Sequence, residues 1–263
     1  MAGQKAIFAA MMYTLKKSLG QHFLRDENIC RKIVDALQQH PLKKLLEVGP
    51  GGGALTKYLI EIEGIELKAV EIDAEKVAYL EKTYPILADK IIRESFLEID
   101  IPFEGNFTVV GNFPYNISSQ ILFKVLDWRE HVECMIGMFQ KEVALRIAAK
   151  EGNKVYGVLS VLVQAFYEVE YLFEVHEQCF TPPPKVKSAV IRLLPRRTPL
   201  GLRDEKSFFL LVKTAFNQRR KTLRNAVKDL FDPETLADEV FNRRAEQLSV
   251  SEFAELNHRM KRK

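Results

Sequence analysis

A chain of 263 residues, 47% apolar and 28% charged, is long enough to bury a sizeable core and to hold one large domain and a small one. Three widely spaced cysteines (Cys30, Cys134, Cys179) exclude a disulfide scaffold and a paired-cysteine zinc site. The net charge of +4 is uneven: residues 1–195 carry 23 basic and 25 acidic side chains, residues 196–263 carry 16 and 10, so the C-terminal part suits an anionic partner.

Residues 1–15, a short apolar run leading into Lys16-Lys17, are expected to be a disordered leader. No apolar run has the length of a membrane span, and the expectation is a cytoplasmic protein. Asp26 is placed to cap a helix whose Ile29, Ile33, Val34 and Leu37 share one face. Leu45-Leu46-Glu47-Val48 reads as a buried strand stopped by glycines, residues 54–60 as a helix, and residues 67–72 as a second strand with acidic Glu71 and Asp73 at its tip. Residues 74–84 read as helix, residues 91–92 and 108–110 as short strands, 118–126 as helix, 134–138 as strand and 141–149 as helix. This alternation predicts an α/β fold with a mainly parallel sheet and helices on both faces. Residues 171–175 and 189–194 then read as strands flanking Thr181-Pro182-Pro183-Pro184, an antiparallel addition at one sheet edge. Beyond Pro195 and Pro199 the chain turns helical and basic, over 208–216, 223–230, 233–241 and 251–260, with a boundary near residue 198.

Two motifs carry chemistry. In Glu47-Val48-Gly49-Pro50-Gly51-Gly52-Gly53-Ala54 a strand ends in glycines that let the backbone turn sharply and approach a ligand without a Cβ in the way. Glu71, at the end of the next strand, can accept both hydroxyls of a ribose. The same turn satisfies a loose dinucleotide fingerprint, so NAD and S-adenosylmethionine both remain open on this motif alone. The second motif is Asn112-Phe113-Pro114-Tyr115. The lone pair of an adenine amino group is delocalised into the ring, and acceptors against its hydrogens favour the tetrahedral geometry that attack requires. The Asn112 side-chain oxygen and the Phe113 carbonyl are such acceptors, Pro114 stiffens the second, and Tyr115 offers a ring on which an extruded base can stack. Together the motifs point to methyl transfer onto the nitrogen of a base.

Three further stretches bear on the family: Leu19-Gly20-Gln21-His22-Phe23-Leu24, the run from Phe180 to Val190, and Phe216-Asn217-Gln218-Arg219-Arg220-Lys221-Thr222-Leu223-Arg224-Asn225. With the two motifs, and in this order, they resemble the KsgA-type ribosomal RNA adenine dimethyltransferases from about Lys16 to near the C-terminus. The resemblance implies a Rossmann-like class I methyltransferase domain over residues 16–198 and a small all-helical, RNA-contacting domain over 199–263. It implies S-adenosylmethionine as cofactor and two adjacent adenosines near the 3′ end of small-subunit rRNA, in a pre-ribosomal particle, as substrate. Carried over by motif, Gln21, His22 and Leu24 contact the cofactor, as do Glu47, Gly49 and Gly51 at the glycine turn. Glu71 and Ile72 sit at its ribose side, Ser95 and Phe96 at its adenine, and Asn112 stands between cofactor and target amine. Phe180 would close on the target base opposite Tyr115.

One position departs from the family. An acid, most often Asp, usually binds the amino group of the cofactor's adenine; here Glu94-Ser95-Phe96-Leu97 puts Ser95 there. A neutral, shorter hydroxyl holds that bond less strongly.

Arg219, Arg220, Lys221 and Arg224 can neutralise several phosphates, with Lys185 and Lys187 extending the basic surface. No metal site is expected, and a monomer is. Two other readings compete: a large-subunit rRNA adenine methyltransferase of the antibiotic-resistance type, and a non-catalytic ribosome-assembly factor. The Asn217–Asn225 stretch disfavours the first, and the intact motifs disfavour the second.

Overall fold

The structure is a computed structural model that describes residues 22–261. The expected leader, Lys16, Lys17 and Gln21 lie outside the described residues.

The chain divides into two compact units: residues through Ala144 with Tyr171–Leu194, and Leu145–Glu170 with the residues from Pro195 on. The first is built on β1 (Phe23–Leu24), α1 (Glu27–Gln38), β2 (Lys44–Val48), α2 (Thr56–Leu59), β3 (Glu66–Val70), α3 (Ala74–Thr83), β4 (Ile91–Ile92) and β5 (Phe107–Asn112). It continues through α4 (Ser118–Asp127), β6 (Val132–Gln140) and the start of α5 (Lys141–Ala148). After α6 (Val158–Phe166) the chain returns by β7 (Tyr167–Val175), β8 (Phe180–Thr181) and β9 (Ser188–Pro195). Asp26 caps α1 as expected, its Oδ1 accepting from the Asn28 and Ile29 amides at 2.9 and 3.2 Å.

The main sheet runs β4-β3-β2-β5-β6-β9-β7. The first five strands are parallel, and β9 is antiparallel to β6. Such a sheet is apolar throughout, because helices cover both faces: Leu45, Leu46, Val109, Val110, Met135 and Ile136 are wholly buried. From β2 the chain moves outward to β3 and β4, then crosses back to β5 on the other side of β2. The strand order therefore reverses between β2 and β5, and ligands of open parallel sheets bind beyond the strand ends at such a reversal. The two segments leaving this point are the glycine turn and Asn112–Tyr115.

A glycine pair fixes the second of them. Gly111 on β5 and Gly137 on β6 face each other in register. A Cβ on Gly137 would meet Phe113 Cε2 at 2.2 Å and Phe139 Cε2 at 2.7 Å. One on Gly111 would meet the Val48 carbonyl oxygen at 2.6 Å and Phe113 Cε1 at 2.7 Å. The buried Phe113 ring thus occupies the slot that two side chains would fill, and it packs on Phe139 with centroids 5.2 Å apart.

The second unit holds α6, α7 (Glu205–Asn217), α8 (Leu223–Ala226), α9 (Pro233–Leu236) and α10 (Val250–His258). Its core is Phe208, Leu211, Val212, Phe231, Phe241 and Phe253, all wholly buried. Buried Asn257 is satisfied: its oxygen accepts from the Arg203 amide at 2.9 Å and its nitrogen donates to Ser207 at 2.7 Å. The helices expected over 223–230 and 233–241 are broken into short α and 3₁₀ turns around Asp232-Pro233. A boundary near residue 198 is close to the break at Pro195, but this unit also takes in Leu145–Glu170. The reason is α6, which the sequence reading passed over: its Val161, Leu162 and Val163 are wholly buried and it packs against α7 and α10.

Replacing Gly137 with Ala is expected to destabilise the protein by about 1–3 kcal/mol, because neither the Phe113 ring nor β6 has room to move. Denaturant unfolding measures this; an unchanged midpoint would show that the ring is not confined there.

Candidate active site

The turn after β2 needs glycine for conformation. Gly49, Gly51 and Gly53 have φ of 67°, 57° and 81°, where a side chain is strained. Gly53 also lacks space, since a Cβ would come within 2.8 Å of the Tyr84 ring. At Gly49 a Cβ would meet nothing within 4 Å, so that backbone faces open space. Buried Glu71 closes the turn from β3: one carboxylate oxygen accepts from the Gly51 amide at 3.1 Å, the other from the Asp73 amide at 3.0 Å. Both oxygens are thereby oriented, and each keeps a lone pair for a hydroxyl. Next to it Ile72 is 61% exposed, a large apolar side chain left at the cavity rim. Glu47, next to last in β2, is almost wholly buried, with its Oε2 accepting from the Thr56 hydroxyl at 2.7 Å. Burial pushes its carboxyl up to about 7; the Thr56 hydrogen bond opposes the rise and the Glu71 charge adds to it.

On the β5 side, Asn112 Nδ2 donates to the His22 carbonyl oxygen at 3.1 Å. This fixes the amide and leaves its oxygen as the acceptor available to a ligand. The Tyr115 hydroxyl pairs with Ser188 Oγ at 2.6 Å, and burial raises the phenol's pKa. The His22 ring lies 5.4 Å from the Tyr115 ring, tilted by 32°, with Nδ1 2.8 Å from the Pro182 carbonyl oxygen. Behind these groups β1 pairs with β8, Phe23 opposite Thr181 and Leu24 opposite Phe180.

These segments enclose one cavity of about 280 Å³, close to the lower end for a small-molecule site. His22, Leu24, Glu47, Gly49, Gly51, Glu71 and Ile72 line it. So do Ser95, Phe96, Asn112, Phe113, Pro114 and Tyr115. Glu94 lines it too, beside Ser95, whose Oγ accepts from the Leu97 amide at 3.3 Å and so has one lone pair in use. The turn, the carboxylate of Glu71 and the bare face of Ile72 fit a ribose with an attached flat ring.

Phe180 is the correction. Its side chain is wholly buried, packed in the core with Leu24, Val175 and Val190, and it is not among the residues lining the cavity. Pairing with β1 turns it inward. What the Phe180–Val190 stretch brings to the site is the Pro182 carbonyl and the Ser188 hydroxyl. A serine nine residues into a motif carries no local signal for a distant tyrosine.

The basic residues fare unevenly. In the first unit Lys185 is exposed, whereas Lys187 pairs with Glu174 at 2.5 Å. Glu174 also pairs with Lys141, and the two ammonium groups hold its carboxyl down to about 2. In the second unit Arg220 and Lys221 are exposed at the turn after α7. Arg219 donates to the carbonyl oxygens of Lys154 and Tyr156 at 3.1 and 2.9 Å, and Arg224 to that of Leu236 at 2.9 Å. Those two arginines are exposed but build the turn as well. Among the described residues no cluster of His, Cys, Asp and Glu could hold a metal ion, and no helix is long and apolar enough to cross a membrane.

Comparison with known proteins agrees with this geometry. The sequence model of the ribosomal RNA adenine dimethylase family matches residues 12–260. A ribosomal RNA small subunit methyltransferase A of Cytophaga hutchinsonii is 54% identical over 248 residues, 92% of this chain and 96% of that protein. Among solved structures, a dimethyladenosine transferase from Plasmodium falciparum superposes with a TM-score of 0.76 at 25% identity, covering 89% of this chain and 96% of that one. The 23S rRNA methyltransferase ErmE gives 0.68 at 24% identity over 89% and 99%, a likeness of fold alone. The sheet is that of the class I methyltransferases. A match that starts ahead of the glycine turn and runs through both compact units leaves neither unit outside it: the chain belongs to the ribosomal RNA adenine dimethylase family.

Proposed function

We propose that this protein transfers methyl groups from S-adenosylmethionine to N6 of adenosine in small-subunit ribosomal RNA, dimethylating two adjacent adenosines near the 3′ end. The observation that carries the reading is the Asn112 amide, anchored through its nitrogen on the His22 carbonyl and lining the same cavity as the glycine turn and Glu71. That orientation offers an acceptor, which a reaction at an amino group uses. The names of its curated relatives favour the small subunit over the large one as substrate. The protein acts as a cytoplasmic monomer on a small-subunit precursor, with Lys185, Arg220 and Lys221 as its phosphate contacts.

When bound, S-adenosylmethionine supplies an electrophilic methyl group on a positively charged sulfur. The chain's own groups do the rest. Glu71 would take the ribose hydroxyls, with Ile72 beside it and Ser95 and Phe96 lining the cavity toward the adenine. The Asn112 oxygen and the Phe113 carbonyl draw the hydrogens of the target amine and turn its lone pair toward the methyl. Tyr115, held at its hydroxyl by Ser188, supports the extruded base. The methylated nitrogen would be acidic and would pass its proton to water without a dedicated base, the donor being left as a neutral thioether. A purely assembly-directed role would leave the oriented Asn112 and Glu71 without a task.

Two measurements follow. With labelled donor and undermethylated subunits assayed separately, small subunits are expected to gain N6,N6-dimethyladenosine, and Asn112→Ala to lower the rate at least about a hundredfold; labelling of large subunits alone would reverse the choice of substrate. Ser95→Asp restores a charged acceptor and is expected to tighten donor binding about fivefold, near 1 kcal/mol, by calorimetry; equal affinity would remove Ser95 from the adenine's amino group.

A further inference from the structure

Glu47 is the buried acid of the site that the chemistry above leaves without a task. It is 2% exposed, lines the cavity and has the Thr56 hydroxyl on Oε2. Thr56 on α2 donates to it, and the charges of Glu71 beyond β3, Tyr84 beyond α3 and Cys30 on α1 interact with its own. His22, Lys76 and Glu94 line the same cavity. The charge that bears on Glu47 most is the Glu71 carboxylate, of like sign, so ionising Glu47 places two anions in one partly desolvated space. Burial favours its neutral form. S-adenosylmethionine carries two positive groups, a sulfonium and an ammonium, against one carboxylate, so it brings one net positive charge into the cavity that Glu47 lines.

We propose that Glu47 holds a proton in the free protein and gives it up when the cationic donor enters, so that donor binding is linked to proton release. This rests on the reading of the cavity as an S-adenosylmethionine site. The carboxyl O–H bond breaks, the proton passes to water, and the carboxylate left behind balances the positive charge brought in. Burial has already placed the carboxyl near neutral pH, where a modest change of surroundings moves it between forms. The sign follows: below the free-protein pKa the donor must displace a proton, so binding weakens as pH falls.

The test is calorimetric titration of the full-length protein with S-adenosylmethionine and with S-adenosylhomocysteine at pH 6 and pH 7, in two buffers of different ionisation enthalpy. Both values lie below the titration of a free α-amino group, near 8, so the ligands keep their charge. Wild type is expected to bind S-adenosylmethionine about fivefold more weakly at pH 6 than at pH 7 and to release protons to the buffer. Glu47→Gln is expected to bind equally at both and release none. Thr56→Val removes the hydrogen bond that favours the ionised form, so its pH dependence moves upward; this variant carries the test if Glu47→Gln fails to fold. His22→Asn, which should keep the slope, controls for the neighbouring imidazole. A slope shared by both ligands assigns the charge to the ammonium, and a slope with S-adenosylmethionine alone assigns it to the sulfonium. Flat affinity without proton release in wild type, or an unchanged slope in Glu47→Gln, overturns the proposal. Failure of either ligand to bind would instead overturn the cofactor reading beneath it.

Discussion

The site depends on one packing constraint, the Phe113 ring held where side chains on Gly111 and Gly137 would be. Each strand gives up a side chain, and the two gaps coincide because the strands pair in register. The ring is buried against Phe139, and its backbone leads directly into Pro114 and Tyr115. A loop with no regular hydrogen-bond ladder of its own is thereby fixed by a core contact. Interiors packed to crystal density respond to displacement abruptly, which suits a segment that forms one wall of a cavity.

The glycine turn is fixed by other means. Positive φ at Gly49, Gly51 and Gly53 shapes it, and the Glu71 carboxylate binds two of the neighbouring amides. The order reversal in the sheet brings the two segments side by side. Neither segment forms a site alone: one is shaped by backbone conformation, the other by a ring in a slot, and the parallel strands between them set their spacing.

Much of this was legible in the sequence, because the signals were local. Strand–helix alternation gave the parallel sheet, glycines marked the turn, and Asp26 marked a helix start. The misses are long-range. Gly111 and Gly137 are 26 positions apart and read as unremarkable strand residues until the register pairs them. Phe180 was placed at the base by the resemblance of its motif alone, and two residues of pairing with β1 suffice to turn it into the core. The helix α6 escaped notice because its apolar run lies among strands, and nothing in it says that its partners are α7 and α10. The partners of the basic residues are long-range too: Lys187 shares Glu174 with Lys141, and Arg219 and Arg224 donate to main-chain carbonyls while staying exposed.

The two rings over the cavity carry one more consequence. A flat base sandwiched between His22 and Tyr115 would need about 7 Å between ring planes, twice the ordinary contact distance. Their centroids are 5.4 Å apart, and His22 is tethered at Pro182 and through its own carbonyl. With both rings in these places, the space between them is too narrow to admit a flat ring.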